Sequence, residues 1–249
     1  MTGLVRIWAQ MCSAVIKSGM RNRRDLVPCV VEFTGVAGVG KTVVARRVAE
    51  FVRSELRHRQ VLSKHDPLTI ARALLSPRAL LHTLSGFTIL MRAEPWSPGR
   101  MIRQANKWSR ISYKLWGCRS VHAIHLVDHG FFQTLRGIGS GSRRDMHWIG
   151  ERLFSRVTRP DLVVVLRADA QCISLRRQAR EKTLNVVDPD GPINAVGRMP
   201  EFARFVDALG RRHGTVVLHV QNGPNEEVAN VAKVIFQKII EMIGEARQP

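Results

Sequence analysis

The hydrophobic pattern alternates between short apolar runs and longer amphipathic stretches. The short runs are rich in β-branched residues and predict buried strands; they lie at residues 27–34, 60–64, 121–128, 161–167 and 215–220. Apolar residues at helical spacing predict helices, and these occupy residues 42–57, 141–157, 170–183, 201–212 and 226–243. Strands that alternate with helices along the whole chain predict a parallel sheet covered by helices on both faces.

Two parts of the chain depart from this alternation. Residues 67–119 carry no good strand pattern and predict two or three helices, broken at Pro77 and at residues 95–99. Residues 1–24 have apolar positions at helical spacing, namely Leu4, Ile7, Trp8, Met11, Val15 and Ile16. They predict a helix packed on the domain, with contact to a membrane surface as the alternative. We therefore expect an N-terminal helix (1–24) and one α/β domain (25–249).

The charge of the chain is far from neutral. Its 249 residues include 39 Lys and Arg against 20 Asp and Glu, a net charge of +19. This field favours anionic partners such as nucleotides, nucleic acid or an acidic membrane, and a contribution to solubility alone is the alternative. The four cysteines are far apart, and the best apolar stretch, residues 79–91, is too short to span a bilayer. Both features favour a reducing, cytoplasmic location without a disulfide or a zinc site.

A glycine-rich motif follows the first predicted strand. Residues 35–42 fit G-x-x-x-x-G-K-[ST], a phosphate-binding loop. Its glycines let backbone N–H groups converge on an anion at the start of a helix. Lys41 would contact the β- and γ-phosphates, and Thr42 would offer its hydroxyl to Mg²⁺. The expected nucleotide-binding residues are Gly35, Val36, Ala37, Gly38, Val39, Gly40, Lys41, Thr42 and Val43.

Acidic and basic side chains elsewhere complete a candidate site. Asp128 ends the third strand, where it could bind Mg²⁺ with Thr42, orient an acceptor or simply cap the next helix. The helix after the fourth strand carries Arg176, Arg177 and Arg180. These arginines would either stabilise charge on a transferred phosphoryl group or form a solvated helix face.

With these elements placed, the chain resembles the P-loop nucleoside and nucleotide kinases, especially the thymidylate-kinase-like branch. The resemblance implies a three-layer P-loop NTPase sandwich with a five-stranded parallel sheet of order 2-3-1-4-5. It also implies an acceptor region at residues 67–119, a lid-like region at 170–197, and Asn222 near the nucleotide base. In this family Asp128 takes the place of the acidic residue at the tip of the third strand.

The departures from that family concern the acceptor. The phosphate loop has Ala37 where thymidylate kinases usually carry an acidic residue, and His129 replaces the Arg that follows the strand-three Asp. Only His65 and Asp66 echo the motif after the second strand, and with Arg72 they are the candidate acceptor residues. Asp128 or Asp66 is the candidate base. Thymidylate is therefore not the expected acceptor.

Other classes of P-loop protein fit the chain less well. A GTPase needs Asn-Lys-x-Asp after a late strand, and residues 106–109 lack the Asp and precede the third strand. A motor or AAA-type ATPase needs a Glu directly after the strand-three Asp, where this chain has His129. We expect Mg²⁺-dependent phosphoryl transfer from ATP, with GTP possible, to a small acceptor, and a homodimer is compatible with this. The alternative is a P-loop ATPase that binds nucleic acid or a membrane surface.

Overall fold

The computed structural model describes residues 28–55, 61–62, 77–93, 98–119, 123–139, 146–184, 197–224 and 226–245. Its strands are β1 (Cys29–Thr34), β2 (Val61–Leu62), β3 (Ile124–Val127), β4 (Leu162–Arg167) and β5 (Val216–Gln221). Its helices are α1 (Lys41–Glu55), α2 (Pro77–Ala93), α3 (Pro98–Arg119), α4 (Phe131–Gly139), α5 (Met146–Phe154), α6 (Ala170–Leu184), α7 (Met199–His213) and α8 (Val228–Glu245). The expected N-terminal helix of residues 1–24 lies outside the described part of the chain.

All the strands of the sheet run parallel. Four strands of four to six residues form its body, and the two-residue β2 pairs with β3 at one edge, giving the order β2-β3-β1-β4-β5. The expected α/β class, with a parallel sheet and helices, is confirmed. Because β1 lies between β3 and β4, the loops that follow these three strands meet at one edge of the sheet.

The centre of the sheet is buried on both sides. Every residue of β1 is buried, and in β4 only Arg167 is exposed. Side chains alternate between the two faces of a strand, so helices must cover both faces. Helices α1 and α8 pack on each other through Phe51 and Phe236, whose ring centroids are 6.1 Å apart. Around α4, α5 and α7, Phe154 packs against Phe131 at 4.9 Å.

Helix α4 is a correction to the segmentation expected from the sequence. That segmentation begins the helix after β3 at residue 141, whereas the chain is already helical from Phe131 to Gly139 and again from Met146. Apolar side chains of α4 such as Phe132 and Leu135 are buried. The helix therefore begins three residues after Asp128, which brings its N-terminus to the edge of the sheet where the loops meet.

Helices α2 and α3 form a hairpin within the expected acceptor region. Both begin at a proline, Pro77 and Pro98, as is typical of the first position of a helix. Trp108 of α3 is 1% exposed and its indole Nε1 donates a hydrogen bond to the Thr83 carbonyl at 3.0 Å. Its indole lies directly over Gly86 of α2, the close approach that a glycine permits. Trp108 is therefore a packing residue of the hairpin.

The hairpin is tied to the start of the sheet. Arg119, the last residue of α3, donates to the Pro28 carbonyl at 3.0 Å and to Asp161 Oδ1 at 2.6 Å. The other oxygen of Asp161 accepts the Val30 N–H at 2.7 Å. These contacts join the amino ends of β1 and β4 to the carboxyl end of α3.

The three cysteines in the described ranges are buried thiols. Cys29, Cys118 and Cys172 are buried, and none of these three forms a disulfide. Burial raises the pKa of the Cys118 thiol to about 11, which makes it a poor nucleophile. Within the same ranges, no helix combines the length and the apolar character needed to cross a bilayer.

Candidate functional site

The loop after β1 has a backbone that requires glycine. Gly35, Gly38 and Gly40 have φ angles of +148°, +87° and +94°. A Cβ atom on Gly35 would lie 2.6 Å from the Leu166 carbonyl oxygen, and one on Gly40 would lie 2.6 Å from Asn222 Nδ2. The loop is thus pressed against the ends of β4 and β5, where only glycine fits.

The Lys41 side chain, at the start of α1, turns back onto this loop. The Lys41 ammonium donates hydrogen bonds to the Gly35 and Val36 carbonyl oxygens, both at 2.9 Å. Val36 and Val39 are buried and fix the loop from the core side, whereas Val43 is 56% exposed. The Lys41 ammonium is therefore held inside the loop, at the N-terminus of α1. A positive charge at a helix N-terminus suits the binding of an anion.

A hydroxyl and a carboxylate meet beside the loop. The Thr42 hydroxyl donates to Asp128 Oδ2 at 3.3 Å, although the two residues are 86 positions apart. Asp128 stands at the carboxyl end of β3, next to β1. These hard oxygen ligands fit Mg²⁺, which keeps several waters and takes few protein ligands. Among the described residues, no group of three or more His, Cys, Asp or Glu side chains is arranged to hold a metal.

Glu32 is a site residue that the sequence reasoning missed. It lies in β1 and is fully buried, and its carboxylate accepts N–H bonds from Phe131 at 2.9 Å, Phe132 at 2.7 Å and Gln133 at 3.4 Å. Burial raises its pKa to about 7, against the lowering effect of these hydrogen bonds and of Lys114. The available signal was one acidic residue inside an otherwise apolar strand.

Lys114 is the second residue missed. It reaches from α3 to donate a hydrogen bond to the His129 carbonyl at 3.2 Å. Burial lowers the pKa of Lys114, while Asp128 and Glu32 nearby act to raise it. Burial, Lys114 and Lys41 lower the pKa of His129, so the imidazole favours its neutral form. Helix α3 thus brings the Lys114 side chain to the turn that follows Asp128.

The arginines of α6 take positions that the sequence did not predict. Arg176 Nη1 donates to the Asn222 carbonyl at 3.0 Å and to the Val39 carbonyl at 3.3 Å. Arg177 is 6% exposed, and its Cγ lies where a Cβ on Gly38 would be 2.9 Å away. Both side chains are therefore engaged with the phosphate loop itself. The side chain of Arg180 lies outside the described part of the chain.

Asn222 supports the loop from the end of β5. Its side-chain Nδ2 donates to the Val39 carbonyl at 2.7 Å, and its backbone N–H donates to the Arg167 carbonyl at 2.7 Å. The Val39 carbonyl thus accepts from Asn222 and Arg176 together, which fixes the far side of the loop. The expected acceptor residues His65, Asp66 and Arg72 lie outside the described residues.

The raised pKa of Glu32 predicts a pH dependence of stability. The folded chain holds this proton more tightly than the unfolded chain, whose Glu pKa is near 4.5. The stabilisation from Glu32 is therefore complete below about pH 4.5 and is lost as the pH rises to about 7. It amounts to on the order of 3 kcal/mol at most. Lys114 and His129, whose pKa values are lowered, act in the opposite direction.

Urea denaturation at a series of pH values measures this effect. In Glu32→Gln the free energy of unfolding should fall less, or rise more, between pH 4.5 and 7 than in the wild type, because the titrating group is gone. Glu50→Gln, on the exposed side of α1, is the control and should leave the profile unchanged. Parallel profiles for the wild type and Glu32→Gln would contradict the prediction.

Comparison with known proteins gives similarity of structure only. No family model matches the chain, and no curated protein matches its sequence. The solved structures similar to it include deoxyadenosine kinase from M. mycoides with bound dCTP, at 10% identity and a TM-score of 0.46, over 85% of this chain and 99% of that one. They also include thymidylate kinase from Ehrlichia chaffeensis, at 12% identity and a TM-score of 0.46, over 86% of this chain and 98% of that one. Both of these solved structures are of nucleoside or nucleotide kinases.

Proposed function

We propose that this chain binds a nucleoside triphosphate with Mg²⁺ and transfers its γ-phosphoryl group to a small acceptor. One observation carries the proposal: the Lys41 ammonium lies within a loop of positive-φ glycines, and the Thr42–Asp128 pair lies beside it. The loop offers N–H groups and a cation to phosphate oxygens, and the pair offers oxygen ligands to a metal. ATP is the expected donor, with GTP as the other candidate.

Each side chain then has a definite task. Lys41 would exchange its two carbonyl contacts for oxygens of the β- and γ-phosphates, where an ammonium offsets developing negative charge. Thr42 and Asp128 would hold Mg²⁺, which neutralises charge on the phosphates. Asn222, which meets Arg176 at the Val39 carbonyl, would border the nucleotide base.

The transfer itself exchanges one P–O bond for another. The acceptor hydroxyl oxygen bonds to the γ-phosphorus, and the bond from that phosphorus to the β–γ bridging oxygen breaks and leaves its electron pair on the nucleoside diphosphate. The hydroxyl proton passes to Asp128, to Asp66 or to solvent. Arg176, Arg177 and Arg180 are the candidates to close over the γ-phosphate, and the first two already contact the loop.

The residue after Asp128 favours a kinase over an ATPase. A hydrolytic P-loop enzyme would orient water with a carboxylate at this position, but His129 stands there. Lys114 and the α2–α3 hairpin approach from the same side. Both features suit a site in which a separate acceptor, rather than water, approaches the γ-phosphate.

The experiment is a measurement of acceptor-dependent ADP release by the full chain with Mg·ATP. Nucleosides, nucleoside monophosphates, sugars and aminoglycosides form the acceptor panel. We expect slow release without an acceptor and at least about tenfold faster release with one class of acceptor. Tight DNA or RNA binding at physiological salt, together with stimulated hydrolysis, would instead favour the nucleic-acid-dependent ATPase that the +19 charge allows.

A further inference from the structure

Glu32 has no role in the proposed phosphoryl transfer, although burying a carboxylate costs free energy. Glu32 does not belong to the phosphate loop, because it lies within β1, three positions before Gly35. Its backbone pairs with Val127 of β3, the residue directly before Asp128. The carboxylate is therefore fixed at the point where the strand leading to Thr42 and the strand leading to Asp128 run side by side.

The carboxylate of Glu32 holds the first turn of α4. It accepts the N–H groups of Phe131 and Phe132 on different oxygens, and the Gln133 N–H adds a longer bond. The first N–H groups of a helix have no partner within the helix, and a negative charge there is favourable. Glu32 therefore acts as a cap supplied from 99 positions earlier in the chain, and it fixes where α4 begins.

Gly130 shows how closely this contact is fitted. A Cβ on Gly130 would lie 2.2 Å from Glu32 Cδ and 2.4 Å from Oε2, so the space of the missing methyl group is filled by the carboxylate. Gly130 is not among the glycines with positive φ, and alanine there would be opposed by the clash rather than by its backbone. Gly130, the last residue of the turn from Asp128 to Gly130, is thus packed against the Glu32 carboxylate.

A second element holds the same turn from the other side. The Lys114 ammonium of α3 donates to the His129 carbonyl, so adjacent residues of the turn contact β1 through Glu32 and α3 through Lys114. Asp128 lies directly before them, with its Oδ2 at 3.3 Å from the Thr42 hydroxyl. A shift of the turn would carry Asp128 away from Thr42.

We propose that Glu32 is a positioning residue that keeps Asp128 beside Thr42 and thereby sets the Mg²⁺ dependence of nucleotide binding. The inference rests on the proposed function, since it assigns the control of that site to a group that touches neither phosphate nor metal. Residues that orient metal ligands typically change metal affinity 10- to 100-fold when they are replaced. Lys114 supports the same turn through its bond to the His129 carbonyl.

The experiment compares nucleotide binding with and without Mg²⁺ in the full chain, with a fluorescent ATP analogue as the probe. In Glu32→Gln one carboxylate oxygen becomes an amide NH₂ that faces backbone N–H donors. We expect the Mg²⁺ concentration for half-maximal binding to rise about tenfold, with Mg²⁺-free affinity within about twofold of the wild type. Glu50→Gln is the matched control, because Glu50 is exposed and pairs only with Arg47 on α1.

Gly130→Ala provides a second variant that keeps Glu32 itself. The added methyl should displace the carboxylate and raise the Mg²⁺ requirement to a similar extent. The double variant Glu32→Ala/Gly130→Ala has no carboxylate for the added methyl group to displace. Its Mg²⁺ requirement should therefore be close to that of Glu32→Ala alone. Amide hydrogen exchange at residues 131–133, measured without nucleotide, should be faster in each variant because the cap is lost or displaced.

The outcomes separate this inference from the proposed function. A wild-type chain without Mg²⁺-dependent nucleotide binding would refute both. A wild type that binds, with folded Glu32→Gln and Gly130→Ala variants that keep its Mg²⁺ requirement, would refute the positioning role alone. Additive effects in the double variant would also count against it, because they would mean that Glu32 and Gly130 act separately.

Discussion

Replacement of Lys41 by alanine is expected to abolish Mg·ATP binding, with a loss of affinity of at least about 100-fold, or about 3 kcal/mol. Lys41 is the cation placed inside the loop, where its ammonium donates to the Gly35 and Val36 carbonyls. Without it, those carbonyl dipoles would face the phosphates with no positive charge to offset them. Charge-assisted hydrogen bonds to phosphate are among the stronger polar contacts, so the loss should be large.

Calorimetric titration of Lys41→Ala with Mg·ATP measures this loss, and far-UV circular dichroism checks that the fold is kept. Lys238→Ala serves as the control, because Lys238 lies on α8 and pairs with Glu241 on the surface. It removes the same charge from the chain at a distance from the loop. ATP affinity retained in a folded Lys41→Ala variant would refute the assignment of the loop.

Replacement of Gly86 by alanine is expected to destabilise the α2–α3 hairpin by about 3 kcal/mol. The added Cβ would lie 2.2 Å from two carbons of the Trp108 indole and 2.3 Å from its Nε1. Trp108 would have to move, and its hydrogen bond to the Thr83 carbonyl would be lost or weakened. Overpacking of a fully buried indole leaves little room for a local adjustment.

Thermal unfolding gives the size of this effect, and we expect a Tm about 8 °C below the wild type. Gly244→Ala is the matched control, since Gly244 also lies in a helix but has no atom within 4 Å of an added Cβ. Alanine there should be neutral or stabilising by up to about 1 kcal/mol, because it has the higher helix propensity. Equal Tm values for the two variants would show that Trp108 does not pack on Gly86 as described.

The phosphate loop could be predicted from sequence because its requirements are local. Glycines at fixed spacing, a lysine and a threonine are adjacent in the chain, and the strand and helix beside them follow from their own periodicity. The pairing of Thr42 with Asp128 could be anticipated for a related reason. Both residues follow neighbouring parallel strands, and the carboxyl ends of such strands meet at one edge.

The supporting contacts could not be predicted, because they join residues far apart without a sequence pattern. Glu32 is 99 positions from Phe131, and Arg176 is 46 from Asn222. Helical spacing indicates which arginines share a face of α6, but not that Arg176 would meet the end of β5. The fit between Glu32 and Gly130 depends on the exact separation of β1 and α4, which periodicity does not give.

The two carbonyl contacts of Lys41 bear on which anions the proposed site would select. A lysine side chain that is ordered only on binding would lose up to about 2 kcal/mol of rotamer entropy at that moment. Here the ammonium is already held by two carbonyl oxygens, so this loss is incurred when the chain folds. An incoming polyphosphate must compete with those oxygens, and a singly charged anion with one weak contact gains little by displacing them. In the proposed site, the two carbonyl contacts of Lys41 would thus favour multiply charged ligands over chloride or acetate.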